Sequence, residues 1–389
     1  MGRLIRVLSI FGTRPEAIKM APVVRSLAET PGICSLVCVT AQHRQMLDQV
    51  LRLFGIVPDV DLDLMRPDQS LAEITAAVFA RLDPVIRDMR PDWILAEGDT
   101  TSVMAVALLS HYNRIRFGHV EAGLRTGDKW NPFPEEINRV VAGAVADLHF
   151  APTEWARANL RRENVPEGKI VVTGNPVIDA LNYAVRRADT EETARLLDRI
   201  GLGQTMPLAA DGPRVVLVTA HRRENFGAPL ERICMALAEL ARTYRETVRI
   251  VYPVHLNPNV WEPVHRMLGS IPGMVLLPPL DYLPLVALLR RAAMVLTDSG
   301  GLQEEAPALG VPVLVMREAT ERPEGVAAGT AKLVGTDTAR IVVESRRLLD
   351  DPEAHAAMAR AVNPYGDGHA AARIVSALLG RHSVENAPV

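Results

Sequence analysis

Carboxylates in the first half of the chain follow short apolar runs, at the places where a parallel sheet would present its loops to a ligand. Glu121 in GHVEAGLRTGD lies between Val120 and Ala122, and an ionised group in such surroundings needs a partner or a function. Asp99 in EGDTTS can offer its carboxylate to a ligand or cap the following helix, and a lone aspartate there is more often a cap. A structural role is enough to explain Glu135 in NPFPEEINR, because the helix dipole stabilises acidic residues in the first turn of a helix.

The segment FGTRPEAIK combines a helix start with two cations. Thr13 and Glu16 have the spacing of a capping box, so a helix begins here and its free N–H groups favour an anion. Arg14 and Lys19 add positive charge near that end, although an ordinary capped helix with surface cations explains the same residues. The segment is neither G-x-G-x-x-G nor a P-loop, which disfavours dinucleotide-binding and NTPase functions.

The second half carries the features of a nucleotide-diphosphate site. In TAHRRENFG, His221 and Arg222 end an apolar run and would form a cationic wall, and His255 ends the next run in the same way. Glu305 in TDSGGLQEEAPALG lies about one turn inside a predicted helix, where a carboxylate can accept both hydroxyls of a ribose. The residues that would let the backbone approach a diphosphate at the N-terminus of that helix are Ser299, Gly300 and Gly301. A nucleotide diphosphate sugar fits this distribution, with its sugar facing Asp99 and Glu121.

Short apolar runs alternate with longer amphipathic ones and predict the elements that position these residues. The predicted strands are 5–11, 36–40, 93–96, 115–118 and 148–151, followed by 215–219, 249–252, 274–277, 294–297 and 313–316. The predicted helices include 17–28, 71–89, 137–146 and, near the C-terminus, 369–379. This pattern predicts an α/β protein of two doubly wound, Rossmann-like domains facing a cleft.

Length and composition indicate a globular protein and argue against nucleic-acid binding and membrane-spanning segments. A chain of 389 residues with 48% hydrophobic and 23% charged residues is typical of a two-domain globular protein. A net charge of −3 gives no overall basic field for nucleic acid, and no charge-free apolar run reaches the roughly 18 residues that span a membrane. The N-terminal apolar run is too short for a signal peptide, and Cys34, Cys38 and Cys234 fit no zinc spacing, so we expect buried thiols in a cytoplasmic protein.

Almost the whole sequence closely resembles the bacterial non-hydrolysing UDP-N-acetylglucosamine 2-epimerases. The resemblance is carried, in order, by FGTRPEAIKMAP, TAQHRQMLDQVL, GDTTS, GHVEAGLRTGD, NPFPEEINR, VTGNPVIDAL, TAHRREN, YPVHLNPN, LTDSGGLQEEAP, TERPEG and NPYGDG. It implies the fold of B-type glycosyltransferases, in which the C-terminal helix packs back on the first domain. The expected domains are residues 1–172 plus 366–389, on the sugar side, and residues 173–365, which bind UDP.

The resemblance also implies reversible interconversion of UDP-N-acetylglucosamine (UDP-GlcNAc) and UDP-N-acetylmannosamine (UDP-ManNAc), with no cofactor and no metal. In the family route UDP leaves C1, the C2 proton is removed to give 2-acetamidoglucal, and UDP adds back after protonation at the opposite face. This route needs a base, an acid, and cations on the leaving diphosphate. The expected catalytic residues are Asp99, Glu121, Glu135 and His221, with Asp99 and Glu121 as the acid–base pair in an order left open. The expected substrate-binding residues are Arg14, Lys19, His255, Ser299, Gly300, Gly301, Glu305 and Arg322.

Bacterial relatives are commonly homodimers and bind a second UDP-GlcNAc as an activator. The residues implied in activation are Gln42, His43, Arg44, Gln45 and Arg222, although the glutamines can also simply begin a helix. Two positions depart from the family pattern. Asp68 stands where some regulated members carry arginine, which weakens the expectation of regulation. Glu97 stands where many members have histidine or another polar residue, and from this position it would change the pKa of Asp99, two residues later.

Four other functions compete with this interpretation. A hydrolysing epimerase would release free N-acetylmannosamine and UDP, and a relative acting on a modified UDP-sugar would need an extra cation in its pocket. A glycosyltransferase on the same fold would need an acceptor site, often with a basic and apolar patch, which the sequence does not show. A sensor that only binds sugar nucleotides would not require Asp99, Glu121 and His221 together.

Overall fold

The computed structural model describes residues 3–40, 44–64, 66, 69–203 and 213–385, and the chain divides into two compact units. Unit 1 comprises Met1–Ala180 and Tyr365–Val389, and unit 2 comprises Leu181–Pro364.

Unit 1 is built on a parallel sheet of seven strands in the order β3-β2-β1-β4-β5-β6-β7. Its elements are β1 (Ile5–Phe11), α1 (Arg14–Glu29), β2 (Ile33–Val39), α2 (Arg44–Phe54), β3 (Val60–Asp61), α3 (Leu71–Met89), β4 (Trp93–Glu97), α4 (Thr101–Tyr112), β5 (Arg116–Val120), α5 (Glu135–Val145), β6 (Leu148–Ala151), α6 (Glu154–Arg162), β7 (Ile170–Val172) and α7 (Pro176–Val185), the last of which runs into unit 2. Every residue of β4 is buried, as expected for a central strand that helices cover on both faces.

Unit 2 has a parallel sheet of six strands in the order β10-β9-β8-β11-β12-β13. Its elements are α8 (Glu191–Arg199), β8 (Arg214–Thr219), α9 (Ala228–Thr243), β9 (Val248–Pro253), α10 (Pro258–Leu268), β10 (Met274–Leu277), α11 (Tyr282–Arg291), β11 (Ala292–Thr297), α12 (Gly300–Ala308), β12 (Val313–Val315), α13 (Pro323–Ala327), β13 (Ala331–Leu333), α14 (Thr338–Asp350) and α15 (Pro352–Ala359). Along β8, Val216 and Val218 pack into one core while Val215 and Leu217 pack into another. This alternation identifies a sheet with a hydrophobic core on each face.

The C-terminal helix α16 (Ala370–Glu385) belongs to unit 1 and packs against α1, as the resemblance implied. The segment that leads into it is fixed by backbone contacts: Tyr365 O accepts the N–H of Asn175 at 2.7 Å. A Cβ on Gly174 would lie 3.2 Å from the Cα of Gly366, so the two glycines allow the close approach of these backbones.

The structure confirms the predicted fold class of two α/β, doubly wound units, and all ten predicted strands are present with small shifts of their ends. Three short strands were not predicted: β3, β7 and β13, which lie at sheet edges and have only two or three residues. Such lengths are below what hydrophobic periodicity can detect. Of the three thiols, Cys38 and Cys234 are buried as expected and Cys34 is half-buried. Among the described residues, none of the helices has both the length and the apolar character to span a membrane.

Candidate active site

In unit 1 the predicted catalytic and substrate-binding residues lie beyond the carboxyl ends of β1, β4 and β5. Asp99 and Glu121 are on the loops after β4 and β5, while Arg14 and Lys19 are on α1 and Glu135 begins α5. β1 and β4 are adjacent at the centre of the sheet, and successive strands are added outward from them in opposite directions. In doubly wound sheets such a switch point opens a crevice that binds ligands. Glu97 of β4 lies beside Val120 of β5 in the sheet register, and this brings Glu97 close to the loop that carries Glu121.

The loop after β1 contains the predicted capping box, and the structure confirms it. Glu16 Oε2 accepts the N–H groups of Gly12 and Thr13 at 2.8 and 2.7 Å, while its Oε1 accepts the hydroxyl of Thr100 at 2.6 Å. Burial raises the pKa of Glu16, and these hydrogen bonds oppose that rise. Glu16 therefore ties the loop after β1 to the loop after β4. Arg14 is the first residue of α1 and adds a cation at the positive end of the helix dipole.

Lys19 is a buried cation that bridges two buried carboxyl groups. Its Nζ donates to Glu97 Oε1 at 2.7 Å and to Glu121 Oε1 at 2.6 Å. The two carboxyl groups thus share one ammonium group. Burial raises the pKa of Glu97 well above its ordinary value; the ammonium of Lys19 opposes the rise, and the like charge of Glu121 adds to it.

Glu121 occupies a backbone conformation that few side chains adopt. Its φ of 60° lies in the left-handed region, which costs a non-glycine residue on the order of 1–3 kcal/mol and is found most often at functional sites. Besides Lys19, its Oε1 accepts the side-chain amide of Asn175 at 2.8 Å. The other oxygen, Oε2, lies 3.8 Å from where a Cβ on Gly98 would stand, so it faces the loop after β4. The conformation, burial and donors together hold this carboxylate in one orientation.

Asp99 is half-buried and pairs with the buried guanidinium of Arg139. Its backbone carbonyl also accepts the side-chain amide of Asn138 at 2.9 Å. The expectation that Asp99 caps the following helix is wrong, because Thr100 is the N-cap of α4 and its hydroxyl accepts the N–H of Val103 at 3.3 Å. The carboxylate of Asp99 is therefore directed toward α5 and does not cap the first turn of α4.

Glu135 and Glu136 begin α5 and have different environments. Glu135 is half-buried at the first position of the helix. Glu136 is buried, accepts the N–H groups of Thr126 and Gly127 at 3.0–3.2 Å, and accepts Arg139 Nη1 at 3.0 Å. Its role is thus to hold the loop before α5 and to orient the guanidinium that contacts Asp99.

His119 is a buried imidazole that supports the loop carrying Asp99. Its Nε2 donates to the carbonyl of Gly98 at 2.7 Å. Burial lowers the pKa of His119 to about 4, so the ring is neutral at physiological pH and serves as a fixed donor. Gly98 has a φ of 84°, a conformation that glycine adopts without strain.

In unit 2, Asp298 positions the loop that carries His221. Asp298 follows β11, is fully buried, and its Oδ2 accepts the backbone N–H groups of His221 and Arg222, both at 2.8 Å, and the side-chain amide of Asn225 at 3.0 Å. Its Oδ1 lies 3.7 Å from His221 Nδ1. Burial lowers the pKa of His221, while the charge of Asp298 opposes this.

The imidazole rings of His221 and His255 are stacked at the carboxyl edge of this sheet. Their centroids are 5.5 Å apart and their planes differ by 19°. His255 follows β9 and is exposed, and its Nδ1 accepts the N–H of Asn257 at 3.1 Å. Because β8 and β9 are adjacent strands, the two predicted residues share one edge of the sheet.

The predicted diphosphate residues lie at the start of α12, with Ser299 as its N-cap and Gly300 and Gly301 as its first two residues. The guanidinium of Arg322 lies directly over this turn, since a Cβ on Gly300 would stand 2.5 Å from Arg322 Nη1. Arg322 is itself held by Glu304 and by Glu321, whose carboxylate accepts Arg322 Nη1 at 2.7 Å. A helix N-terminus with a buried arginine above it can bind an anion.

Glu305 lies one turn into α12 and is buried. Its Oε1 accepts the hydroxyl of Tyr282 at 2.6 Å, and its Oε2 faces the first turn, 3.7 Å from where a Cβ on Gly301 would stand. This arrangement places the carboxylate near the first turn of α12, where the sequence predicts a diphosphate site.

Sequence reasoning did not assign Asn175, Arg139, Asp298 or Tyr282 to the site, although Arg139 and Asp298 stand inside the motifs NPFPEEINR and TDSGG. The structure pairs Glu97 with Lys19 and Glu121, whereas Asp99 pairs with Arg139. Of the residues expected to bind an activator, Gln42 and His43 lie outside the described residues, as does Asp68. Arg44 and Gln45 are the first two residues of α2.

Comparison with known proteins adds four findings. A sequence model of the family "UDP-N-acetylglucosamine 2-epimerase" matches residues 25–379. The chain is 55% identical over 374 residues to the UDP-N-acetylglucosamine 2-epimerase of Salmonella typhimurium, covering 96% of this chain and 98% of the relative. It is also similar to the crystal structure of UDP-GlcNAc 2-epimerase from Neisseria meningitidis bound to UDP-GlcNAc, with a TM-score of 0.90, 47% identity and coverage of 97% of this chain and all of that one. A glycosyltransferase of kitacinnamycin, 13% identical with a TM-score of 0.63 over 98% of this chain and 99% of its own, shares the fold alone.

Proposed function

The chain belongs to the UDP-N-acetylglucosamine 2-epimerase family, and from that premise we propose that it interconverts UDP-GlcNAc and UDP-ManNAc without releasing a free sugar. The observation that carries the proposal is the pair of carboxylates, Asp99 and Glu121, that buried cations hold on adjoining loops of unit 1. Relatives similar over their whole length carry the same activity in their names, and one was solved with UDP-GlcNAc bound.

Unit 2 would bind the nucleotide part of the substrate. The N–H groups at the start of α12 and the guanidinium of Arg322 would contact the diphosphate, and Glu305 would accept the ribose hydroxyls. His221 would stabilise charge on the diphosphate as the bond to C1 breaks. Fixed donors of this kind favour departure of UDP because they do not need to reorganise as charge develops.

Unit 1 would supply the acid and the base at C2. One of Asp99 and Glu121 removes the C2 proton as UDP leaves, which gives 2-acetamidoglucal, and the other protonates C2 from the opposite face before UDP adds back. Glu135, at the start of α5, would act directly or orient a neighbour.

The deciding experiment is incubation of the protein with UDP-GlcNAc in deuterium oxide, with the products followed by NMR. The proposal predicts UDP-ManNAc carrying one solvent deuteron at C2, formed reversibly. A product without deuterium at C2 would exclude proton removal by the enzyme. Free N-acetylmannosamine as the main product would identify a hydrolysing epimerase instead.

Three variants assign the roles of the carboxylates. Glu121→Gln and Asp99→Asn should each lower kcat by about 10²–10⁴-fold, the usual cost of losing a general acid or base, and should keep the affinity for UDP. Glu305→Ala should weaken UDP binding first. Asp147→Asn is a matched control, because Asp147 accepts the N–H of Phe117 at 2.9 Å near the opposite end of β5. Near-normal turnover by Glu121→Gln would refute its catalytic role.

A further inference from the structure

Glu97 is a buried carboxyl group in contact with a proposed catalytic carboxylate, and the proposed reaction gives it no part. It is the last residue of β4 and only 2% exposed. Its Oε1 accepts Lys19 Nζ at 2.7 Å, and the same Nζ donates to Glu121 Oε1 at 2.6 Å. Two carboxyl groups can form a hydrogen bond with each other only if one of them keeps its proton, since two carboxylates can only accept.

The charges of this cluster point to the same conclusion. Lys19 supplies one positive charge, and its Nζ lies 2.7 Å from Glu97 and 2.6 Å from Glu121. Two ionised carboxylates around one ammonium would place two negative charges against one positive charge in a buried place, which is costly. One retained proton makes the cluster neutral. Two buried carboxyl groups that contact one ammonium therefore retain a proton between them, as paired acids do in other enzymes.

The proton is better placed on Glu97 than on Glu121. Oε1 of Glu121 already accepts two donors, Lys19 and Asn175 at 2.6 and 2.8 Å, which favours its ionised form. Glu97 is more deeply buried, and burial raises its pKa well above the ordinary value. The assignment thus stands on the donors around each carboxyl group as well as on burial.

We propose that Glu97 is a positioning residue: as a neutral carboxylic acid it donates its proton to the Glu121 carboxylate and, together with Lys19 and Asn175, fixes the orientation and charge of Glu121. This inference rests on the proposed function, because it concerns a residue assigned to acid–base work at C2. It also gives a meaning to glutamate at this position, where the family resemblance implies histidine or another polar residue. Those residues, like a protonated glutamate, can donate a hydrogen bond while neutral.

The proposal predicts a dependence on alkaline pH. When Glu97 ionises, its donated proton is lost and a second negative charge faces Glu121, which changes the orientation and the proton affinity of that carboxylate. The charged groups that face Glu97 are Lys19 from α1 and Glu121 from the loop after β5. His119 supports the adjoining backbone at Gly98, and the pair formed by Asp99 and Arg139 lies on the same loop.

The test compares Glu97→Leu, Glu97→Gln and the wild-type chain, with Asp147→Asn as a carboxyl-to-amide control on the same sheet. Leucine removes the donor and leaves Lys19 and Glu121 as a neutral pair, so kcat should fall about 10–100-fold while KM changes less than about threefold. Glutamine replaces the acid by a neutral donor of the same shape and should recover most of that loss. It should also shift the alkaline fall of kcat to higher pH, which Asp147→Asn should not do.

A second measurement reads the proton directly and does not depend on activity. In protein labelled with carboxyl-¹³C glutamate, the wild type and Asp147→Asn should show at neutral pH a resonance of a protonated carboxyl group that Glu97→Gln lacks. Comparison with this variant is needed because burial also raises the pKa of Glu16. Thermal unfolding of each variant establishes that it is folded.

The outcomes separate this inference from the proposed function. If the wild type does not epimerise UDP-GlcNAc, the proposed function fails, and the ¹³C spectrum still decides whether Glu97 holds a proton. If the wild type is active and Glu97 titrates with the exposed glutamates, the inference is overturned. It is also overturned if leucine and glutamine at this position give equal kcat values and equal pH profiles.

Discussion

Arg139 is expected to orient Asp99, and Arg139→Lys measures how much turnover depends on that orientation. The buried guanidinium contacts Asp99 through Nη2 and Glu136 through Nη1, the latter at 3.0 Å. Lysine keeps the positive charge but replaces the planar guanidinium, whose two nitrogens reach the two carboxylates separately, by one compact ammonium, so we expect one of these contacts to be lost. A hydrogen bond to a charged group contributes about 1.5–3 kcal/mol, and about 1.36 kcal/mol corresponds to a factor of ten in rate. We therefore expect kcat to fall about 10–100-fold, provided the loss is felt in the transition state.

The assay measures kcat and KM for UDP-GlcNAc by NMR, UDP affinity by calorimetry, and the melting temperature. Arg125→Lys is the matched control, because Arg125 binds Glu163 through two contacts of 2.7 Å and has no assigned role in the reaction. If Arg139 acts through Asp99, the double variant with Asp99→Asn should be no slower than Asp99→Asn alone, within about threefold. Additive losses, or a kcat for Arg139→Lys within about twofold of the wild type, would refute the reasoning.

Two further predictions concern unit 2. Tyr282→Phe removes the hydroxyl that donates to Glu305 at 2.6 Å, so the Kd for UDP should rise about 3–10-fold with kcat little changed. An unchanged Kd measured by calorimetry would contradict a role of Tyr282 in holding Glu305. Burial alone would raise the pKa of Glu321, but Arg322 and Arg317 hold it at about 2, against an ordinary value of 4.5. Because the folded-state pKa is the lower one, this carboxylate stabilises the fold above about pH 4.5 by roughly 3 kcal/mol and loses that contribution as the pH falls toward 2. The difference in melting temperature between the wild type and Glu321→Gln should accordingly shrink between pH 7 and pH 3, and a constant difference would contradict the assignment.

Local chemistry made much of this structure predictable from the sequence. The capping box of Thr13 and Glu16 was read from a spacing of three residues, and the central strands from continuous apolar runs. The prediction that Asp99 caps α4 failed for a local reason as well: Thr100, one residue later, is also a good N-cap, and sequence alone does not decide between them.

The partners of the site residues were beyond sequence reasoning because they are distant along the chain. Arg139 meets Asp99 across 40 residues, and Asp298 meets His221 across 77. Tertiary structure brings these pairs together: His221 and Asp298 follow the adjacent strands β8 and β11, and Arg139 lies on α5, which packs against α4. Glu97 illustrates the same point: its neighbour in sequence suggested an effect on Asp99, whereas its contacts are with Lys19 and Glu121.

The two units use one device to fix the loop that follows the first strand of each sheet. In unit 1 the buried carboxylate of Glu16 accepts the N–H groups of Gly12 and Thr13, and in unit 2 the buried carboxylate of Asp298 accepts those of His221 and Arg222. In both cases the same residue also links this loop to the loop after the neighbouring strand. Glu16 accepts the hydroxyl of Thr100 in the loop after β4, and Asp298 is itself part of the loop after β11.

A carboxylate suits this task because one side chain can accept several N–H groups at once, and a charged acceptor holds them more strongly than a neutral one. The loops are therefore ordered before any ligand is present, so a ligand need not pay for their ordering when it binds. Some carboxylates at the carboxyl edges of the two sheets therefore hold loops in place and are not candidates for catalysis. Glu16, Glu136 and Asp298 are committed to backbone donors, whereas Asp99 and Glu121 are held mainly by side chains. Charged side chains can orient a carboxylate while an oxygen still faces the crevice, which is what proton transfer at a carbon atom requires.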